Sequence, residues 1–171
     1  YSHNYGTGLE YNRLLSNRLQ VSANTTHIQK RYQDSDLAHY YDGHSNSQAA
    51  LVMYQPKSQL LIYSGVDWLQ DRLADEAESS NKQGIRSGFL YFGDSLGING
   101  NIRYSKRNFL ADNIWYGIHR KDNEYELNVA AWRKQWQWKG FTPKLNYRYQ
   151  KIESNLPLYE RNNSTFFMTI D

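Results

Sequence analysis

Leu96-Gly97-Ile98-Asn99-Gly100-Asn101-Ile102-Arg103-Tyr104 alternates without a break: the even positions are Leu, Ile, Gly, Ile and Tyr, the odd ones Gly, Asn, Asn and Arg. A period of two is the repeat of a β-strand with unlike faces. Pro143-Lys144-Leu145-Asn146-Tyr147-Arg148-Tyr149-Gln150 does the same, apolar or aromatic on the odd side and polar on the even. Two architectures use such strands. A soluble sandwich buries the apolar faces of two sheets against each other. A membrane barrel turns the apolar face to lipid and keeps the polar face around a wet lumen.

Working outward from these runs, the pattern predicts nine strands, near Tyr5–Leu15, Arg18–Tyr32, Ser45–Gln55, Gln59–Gln70, Gln83–Phe92, Leu96–Lys106, Asn123–Lys134, Pro143–Ile152 and Arg161–Ile170. Many reach the ~9–11 residues that cross a bilayer at a tilt, above the soluble mode of ~5–6. Connections alternate in length. Ser16-Asn17, Pro56-Lys57-Ser58, Gly93-Asp94-Ser95 and Lys139-Gly140-Phe141-Thr142 are tight; residues 33–44, 71–82, 107–122 and 153–160 are long and polar. Tight turns at one rim and long loops at the other are the arrangement of a bacterial outer-membrane barrel. Aromatics gather near strand ends (Trp68, Tyr91, Phe92, Tyr104, Trp136, Trp138, Phe141), as two interfacial girdles require. Trp132 falls on the opposite parity from Tyr125, Leu127, Val129 and Ala131, so a bulge is expected near Arg133.

Composition agrees. The 171 residues suit one domain, aromatics make up 15%, and there are only 3 Pro to interrupt strands. Mean hydropathy is −0.85, which excludes membrane-spanning helices but not a barrel, whose lumen residues dilute every strand. The absence of Cys excludes disulfides and thiolate metal sites. The net charge of +3 is spread, with no basic patch for nucleic acid. Tyr1-Ser2-His3-Asn4 opens no signal peptide, so an exported chain of this kind is expected to be mature or partial. Bacterial single-chain barrels have even strand counts. An odd count therefore predicts the C-terminal part of a larger barrel, with upstream strands absent.

The last third carries Trp138-Lys139-Gly140-Phe141-Thr142-Pro143, an alternating strand, then Glu153-Ser154-Asn155-Leu156-Pro157-Leu158-Tyr159-Glu160-Arg161 and a final strand. Gly140, Thr142, Pro143, Ser154, Asn155 and Tyr159 match the turn and loop of the Slam family, the surface lipoprotein assembly modulators, and the chain resembles their C-terminal barrel. That resemblance implies a barrel of about fourteen strands, a helical-repeat periplasmic domain upstream, and an outer-membrane translocon of the type XI secretion system. Its partners would be a client surface lipoprotein or secreted protein, the barrel-assembly machinery and outer-membrane lipid. The chain departs from the family in lacking the terminal Phe.

The polar parity gives the candidate lumen wall: Arg86, Asn99, Asn101, Arg103, Glu126, Asn128, Lys144, Asn146, Arg148 and Gln150. These line a translocation path or satisfy one another as a packed polar interior. The other parity gives the lipid face: Leu96, Ile98, Ile102, Tyr104, Leu145, Tyr147, Tyr149, Phe166, Met168 and Ile170. The Glu153–Arg161 segment is a fixed structural loop or a substrate contact. His39 and His44 flank Asp42, but their spacing matches no metal-ligand motif. No G-x-S-x-G elbow or Ser–His pairing points to hydrolysis, and no phosphate loop is present. No catalytic residue, cofactor or metal is expected. A passive outer-membrane porin and a soluble all-β binding protein remain the rival functions.

Overall fold

A computed structural model describes residues 2–136 and 141–170. Nine antiparallel strands form a single sheet in strict sequence order. They are β1 (Ser2–Ser16), β2 (Leu19–Tyr32), β3 (Gly43–Lys57), β4 (Leu60–Leu73), β5 (Ser80–Phe92), β6 (Leu96–Asp112), β7 (His119–Arg133), β8 (Pro143–Ser154) and β9 (Arg161–Ile170). A sandwich divides its strands between two packed sheets; here one up-and-down sheet holds all nine, as in a barrel wall, and its β1 and β9 edges are open. No helix among the described residues is long and apolar enough to cross a membrane.

The strands run farther into the long connections than the alternation alone indicates. β6 continues to Asp112 and β5 begins at Ser80. The first long loop holds a short helix, α1 (Ser35–Tyr41), that alternation does not reveal. Asp34 caps it, accepting from the backbone N–H of Asp36 (2.9 Å) and Leu37 (3.3 Å).

The two faces differ in crowding. Ser105, Lys82 and Ala130, on the polar side, are 2%, 8% and 7% exposed, whereas Ile102 and Phe166, on the apolar side, are 58% and 82% exposed. With no second sheet laid over either side among the described residues, this asymmetry is what curvature produces: side chains converge inside the bend and splay outside it. Ion pairs that skip a strand say the same. Lys30 on β2 reaches Asp71 on β4 (3.1 Å), Arg103 on β6 reaches Asp67 on β4, and Lys82 on β5 reaches Glu124 on β7. Backbones two strands apart are separated by about 9.6 Å, so these side chains lean together over the strand between them.

The expected bulge near Arg133 is absent. β6 and β7 stay in register from Leu96↔Arg133 to Asn108↔Lys121, and the irregularity lies instead between Asn108 and Asp112. Trp132 takes the polar face because Gly97 lies opposite and leaves the ring room. A Cβ on Gly97 would come within 2.1 Å of the indole. Phe92 meets that ring edge-on at 5.9 Å and the Lys144 ammonium sits 4.9 Å from its centroid. β7 then ends in a 3-10 turn, Lys134–Trp136. The tight turn expected at Lys139–Thr142, with Trp138 and Gly140, lies partly outside the described residues.

Gly97→Ala therefore overpacks this corner. We expect a loss of about 1–3 kcal/mol in denaturant unfolding, largely restored when Trp132→Leu is added; a double-mutant cycle showing strict additivity would contradict the contact.

Candidate functional site

All ten expected wall residues share one face. The register sets Asn99 opposite Ala130 and Ala130 opposite Asn146; Asn101, Asn128 and Arg148 form one row, and Arg86, Arg103, Glu126 and Gln150 the next. Lys144 pairs with Trp132 on the same side. All ten expected outer residues share the opposite face, with Ile98, Leu145 and Met168 in one row, Tyr147 and Phe166 in another, Ile102 and Tyr149 in a third, and Tyr104, Leu96 and Ile170 in phase with them.

The polar face is cross-linked by charge. Glu124 takes Lys82 through one oxygen and Arg107 Nε through the other (2.9 Å). Asp71 accepts from Lys30 and from the Ser45 hydroxyl. Asn128 donates to Glu126 (2.7 Å) and Asn101 (3.1 Å) and accepts from Arg148 (3.0 Å). Pairs of this kind fix side-chain positions while contributing modest net stability. Among the described residues no cluster of His, Asp or Glu has the geometry of a metal site.

The outer face is apolar through its middle and changes abruptly at one end. The Tyr104 and Tyr125 rings meet at a tilt with their centroids 5.1 Å apart. One row beyond them, toward the long loops, come Gln83, Lys106 and Asn123, and then Asn81, Asn108 and Lys121. Trp68 lies in the same row as Gln83, more than a third exposed.

The long-loop rim is tied together laterally. Asp42 and Tyr40 of the first loop accept from the backbone of Ala74 (2.7 Å) and Asp75 (3.1 Å) in the second. The last loop contains the motif residues and is bound to β7. Asn155 accepts from the Lys121 amide (2.7 Å) and donates to the His119 carbonyl (2.9 Å), and the Ser154 hydroxyl accepts from Leu156 N–H (3.2 Å). Leu156 is fully buried. A short 3-10 turn, Pro157–Tyr159, carries the Tyr159 ring beneath Arg120, whose guanidinium lies 3.7 Å from it and 4.4 Å from Phe109. The Tyr159 hydroxyl accepts from Asn113 (2.8 Å), and Arg120 holds the buried Asp122 with two hydrogen bonds (3.0 and 2.6 Å).

This clasp holds the segment against β7. Thr142 and Pro143 lead into β8, and Gly140 falls outside the described residues. Sequence reading missed Arg120, Asp122, Phe109 and Asn113. Their only signal was the polar-aromatic character of a long connection. In the second loop, burial raises the Glu78 pKa above its ordinary value against the pull of Arg120, and Asp75 raises it further.

Two outcomes follow. Arg120→Leu leaves the Asp122 carboxylate buried and unpaired and should cost about 3–5 kcal/mol, read as faster protease nicking of the 153–160 loop. Glu78 favours its protonated form when folded. Its contribution is therefore fully present below the ordinary carboxylate pKa and is lost as pH rises through the raised value. Glu78→Gln should slow hydrogen exchange of the 74–80 amides at pH 7 and leave it unchanged at pH 4.

Similar proteins share this chain from end to end. A family model described as "Surface lipoprotein assembly modifier" matches residues 1–171. Surface lipoprotein assembly modifier 1 of Haemophilus influenzae is 25% identical over 171 residues, covering 99% of this chain and 35% of the relative. A surface lipoprotein assembly modifier of Pasteurella multocida is 25% identical over 179 residues, with the same shares. Surface lipoprotein assembly modifier 2 of Neisseria meningitidis serogroup B is 23% identical over 182 residues, 99% of this chain and 36% of the relative. The chain thus spans about a third of the length of these curated relatives. No solved structure matches. With the whole of its length matched and an all-β sheet of the required kind, the chain belongs to the surface lipoprotein assembly modifier family.

Proposed function

We propose that this sheet is part of the wall of an outer-membrane β-barrel that delivers a surface lipoprotein or secreted protein across the outer membrane. The observation that carries this reading is the division of one sheet into an apolar outer band and an ion-paired inner face. The run from Leu96 to Tyr104 is about 27 Å along the strand at ~3.4 Å per residue and about 21 Å tall at a ~40° tilt, close to the ~25 Å apolar band of such barrels. The polar rows that begin beyond Tyr104, the first of them ending in Trp68, mark where that band ends. In this reading β1 and β9 each accept a further strand to complete a barrel of about fourteen, with a periplasmic domain in the full-length protein. The barrel-assembly machinery inserts it.

The wall works without chemistry. Its carboxylates are engaged by Lys, Arg or Asn, and its neutral amides bind a passing chain weakly. A porin has the same wall but no client. The family's relatives are named for surface lipoproteins, which favours a protein cargo.

Two measurements test this. Ile102→Lys should cost about 2–4 kcal/mol in lipid vesicles and Asn101→Lys little; equal costs would remove the membrane reading. The full-length gene, co-expressed with lipoproteins encoded beside it, should make a client protease-accessible on intact cells, and deletion should abolish that exposure. Steady ion conductance with no client exposed would favour the porin.

A further inference from the structure

We infer that Arg86 and Arg103 form an anion-binding site on the polar face that takes the carboxylates of an acidic peptide segment. The site names the class of cargo segment that the proposed wall would engage, and so rests on that reading.

The register places the two arginines directly opposite each other on β5 and β6, with Cβ atoms about 5 Å apart. Like charges in that position destabilise a sheet, so the pair calls for more negative charge than the described residues supply. Asp67 supplies one carboxylate, to Arg103. It reaches over β5 because Gly84 stands beneath it; a Cβ there would lie 3.0 Å from Oδ2 and 3.1 Å from Oδ1. Glu126, opposite Arg103 on the other side, gives Oε1 to Asn128 (2.7 Å) and makes no ion pair among the described residues.

Arg86 receives nothing. Among the described residues its guanidinium makes no hydrogen bond or ion pair, and Nε of both Arg86 and Arg103 is buried without a partner. A buried donor with no acceptor costs about 1–3 kcal/mol, more when charged. Such a group is where an absent acceptor belongs.

The surroundings fit a carboxylate. A cavity of about 350 Å³ adjoins Arg103 on the side away from Arg86 and is lined by Lys82, Glu124, Glu126, Gln150, Arg161 and Asn163, room for a glutamate side chain with several waters. Arg148 and Arg161, toward β9, make no ion pair with a carboxylate among the described residues and extend the positive track. Guanidinium forks match carboxylates with paired hydrogen bonds, while the amides of Asn101, Asn128 and Gln150 add polarity without charge. Such a site holds an acidic segment reversibly and weakens with salt.

The test uses the full-length protein in lipid nanodiscs and a fluorescent ten-residue poly-glutamate peptide read by anisotropy. Binding should weaken at least tenfold in Arg86→Gln and in Arg103→Gln. It should be partly retained in Arg86→Lys, which keeps the charge and the fold but loses the fork, and be unchanged in Arg13→Gln on the outer face. No binding by the parent protein, or equal binding by Arg86→Gln, would overturn the site. Displacement by inorganic phosphate but not by glutarate at matched ionic strength would overturn the carboxylate assignment. Client exposure on cells is scored separately. Exposure without peptide binding rejects this site and keeps the translocation reading; peptide binding without client exposure does the reverse.

Discussion

The continuous antiparallel ladder is the constraint on which everything else rests. Between Ser2 and Ile170 each strand hydrogen-bonds only to its neighbours in sequence, and the register shifts at just three places, at Leu14/Ser16, Tyr54/Lys57 and Asn108/Asp112. All three lie next to a turn or loop. Side-chain parity is therefore conserved across the middle of the sheet, and a one-residue slip anywhere there would exchange the two faces. The charged inner face and the apolar outer face are two readings of one register. In a bilayer the same ladder satisfies backbone groups that no water could reach.

That shared origin explains what the sequence disclosed. The nine strands, their order and the membership of both faces are legible because alternation is local and each residue declares its own side. Trp132 is the instructive exception. By polarity it belongs outside, so the alternation invites a bulge, yet Gly97 on the neighbouring strand admits its ring inside without one. Pairing of a large residue with an absent side chain across strands is invisible along a single strand. The same holds for Asp67 crossing Gly84 to reach Arg103. The clasp around Arg120 was hidden for a different reason. Its members come from the ends of β6, β7 and the last loop, brought together only once the register is known.

The two rims are built on different principles. At one, turns of a few residues join β1 to β2, β3 to β4 and β5 to β6. At the other, loops long enough to wander are held by one another: the first to the second through Asp42 and Tyr40, the second to β6 through Ser79 and Leu110, the last to β7 through Asn155 and Tyr159. Long connections lose more entropy on ordering, and each tie offsets part of that by satisfying buried polar groups.

The inner face then separates two uses of charge. Where Glu124 meets Lys82 and Arg107, or Asp71 meets Lys30, a positive group is matched by a carboxylate and the arrangement fixes geometry. At Arg86 the matching fails, while its neighbour Arg103 is met by Asp67. Gly65 lies opposite Arg86 on β4, and Gly84 and Gly88 flank it on the same face of β5. One row away Glu124 takes both Lys82 and Arg107, whereas Glu126, in the arginines' own row, accepts from Asn128 instead. The departure is local and charged, and it sits midway along β5 and β6 on the polar face, where the proposed acidic segment would meet it.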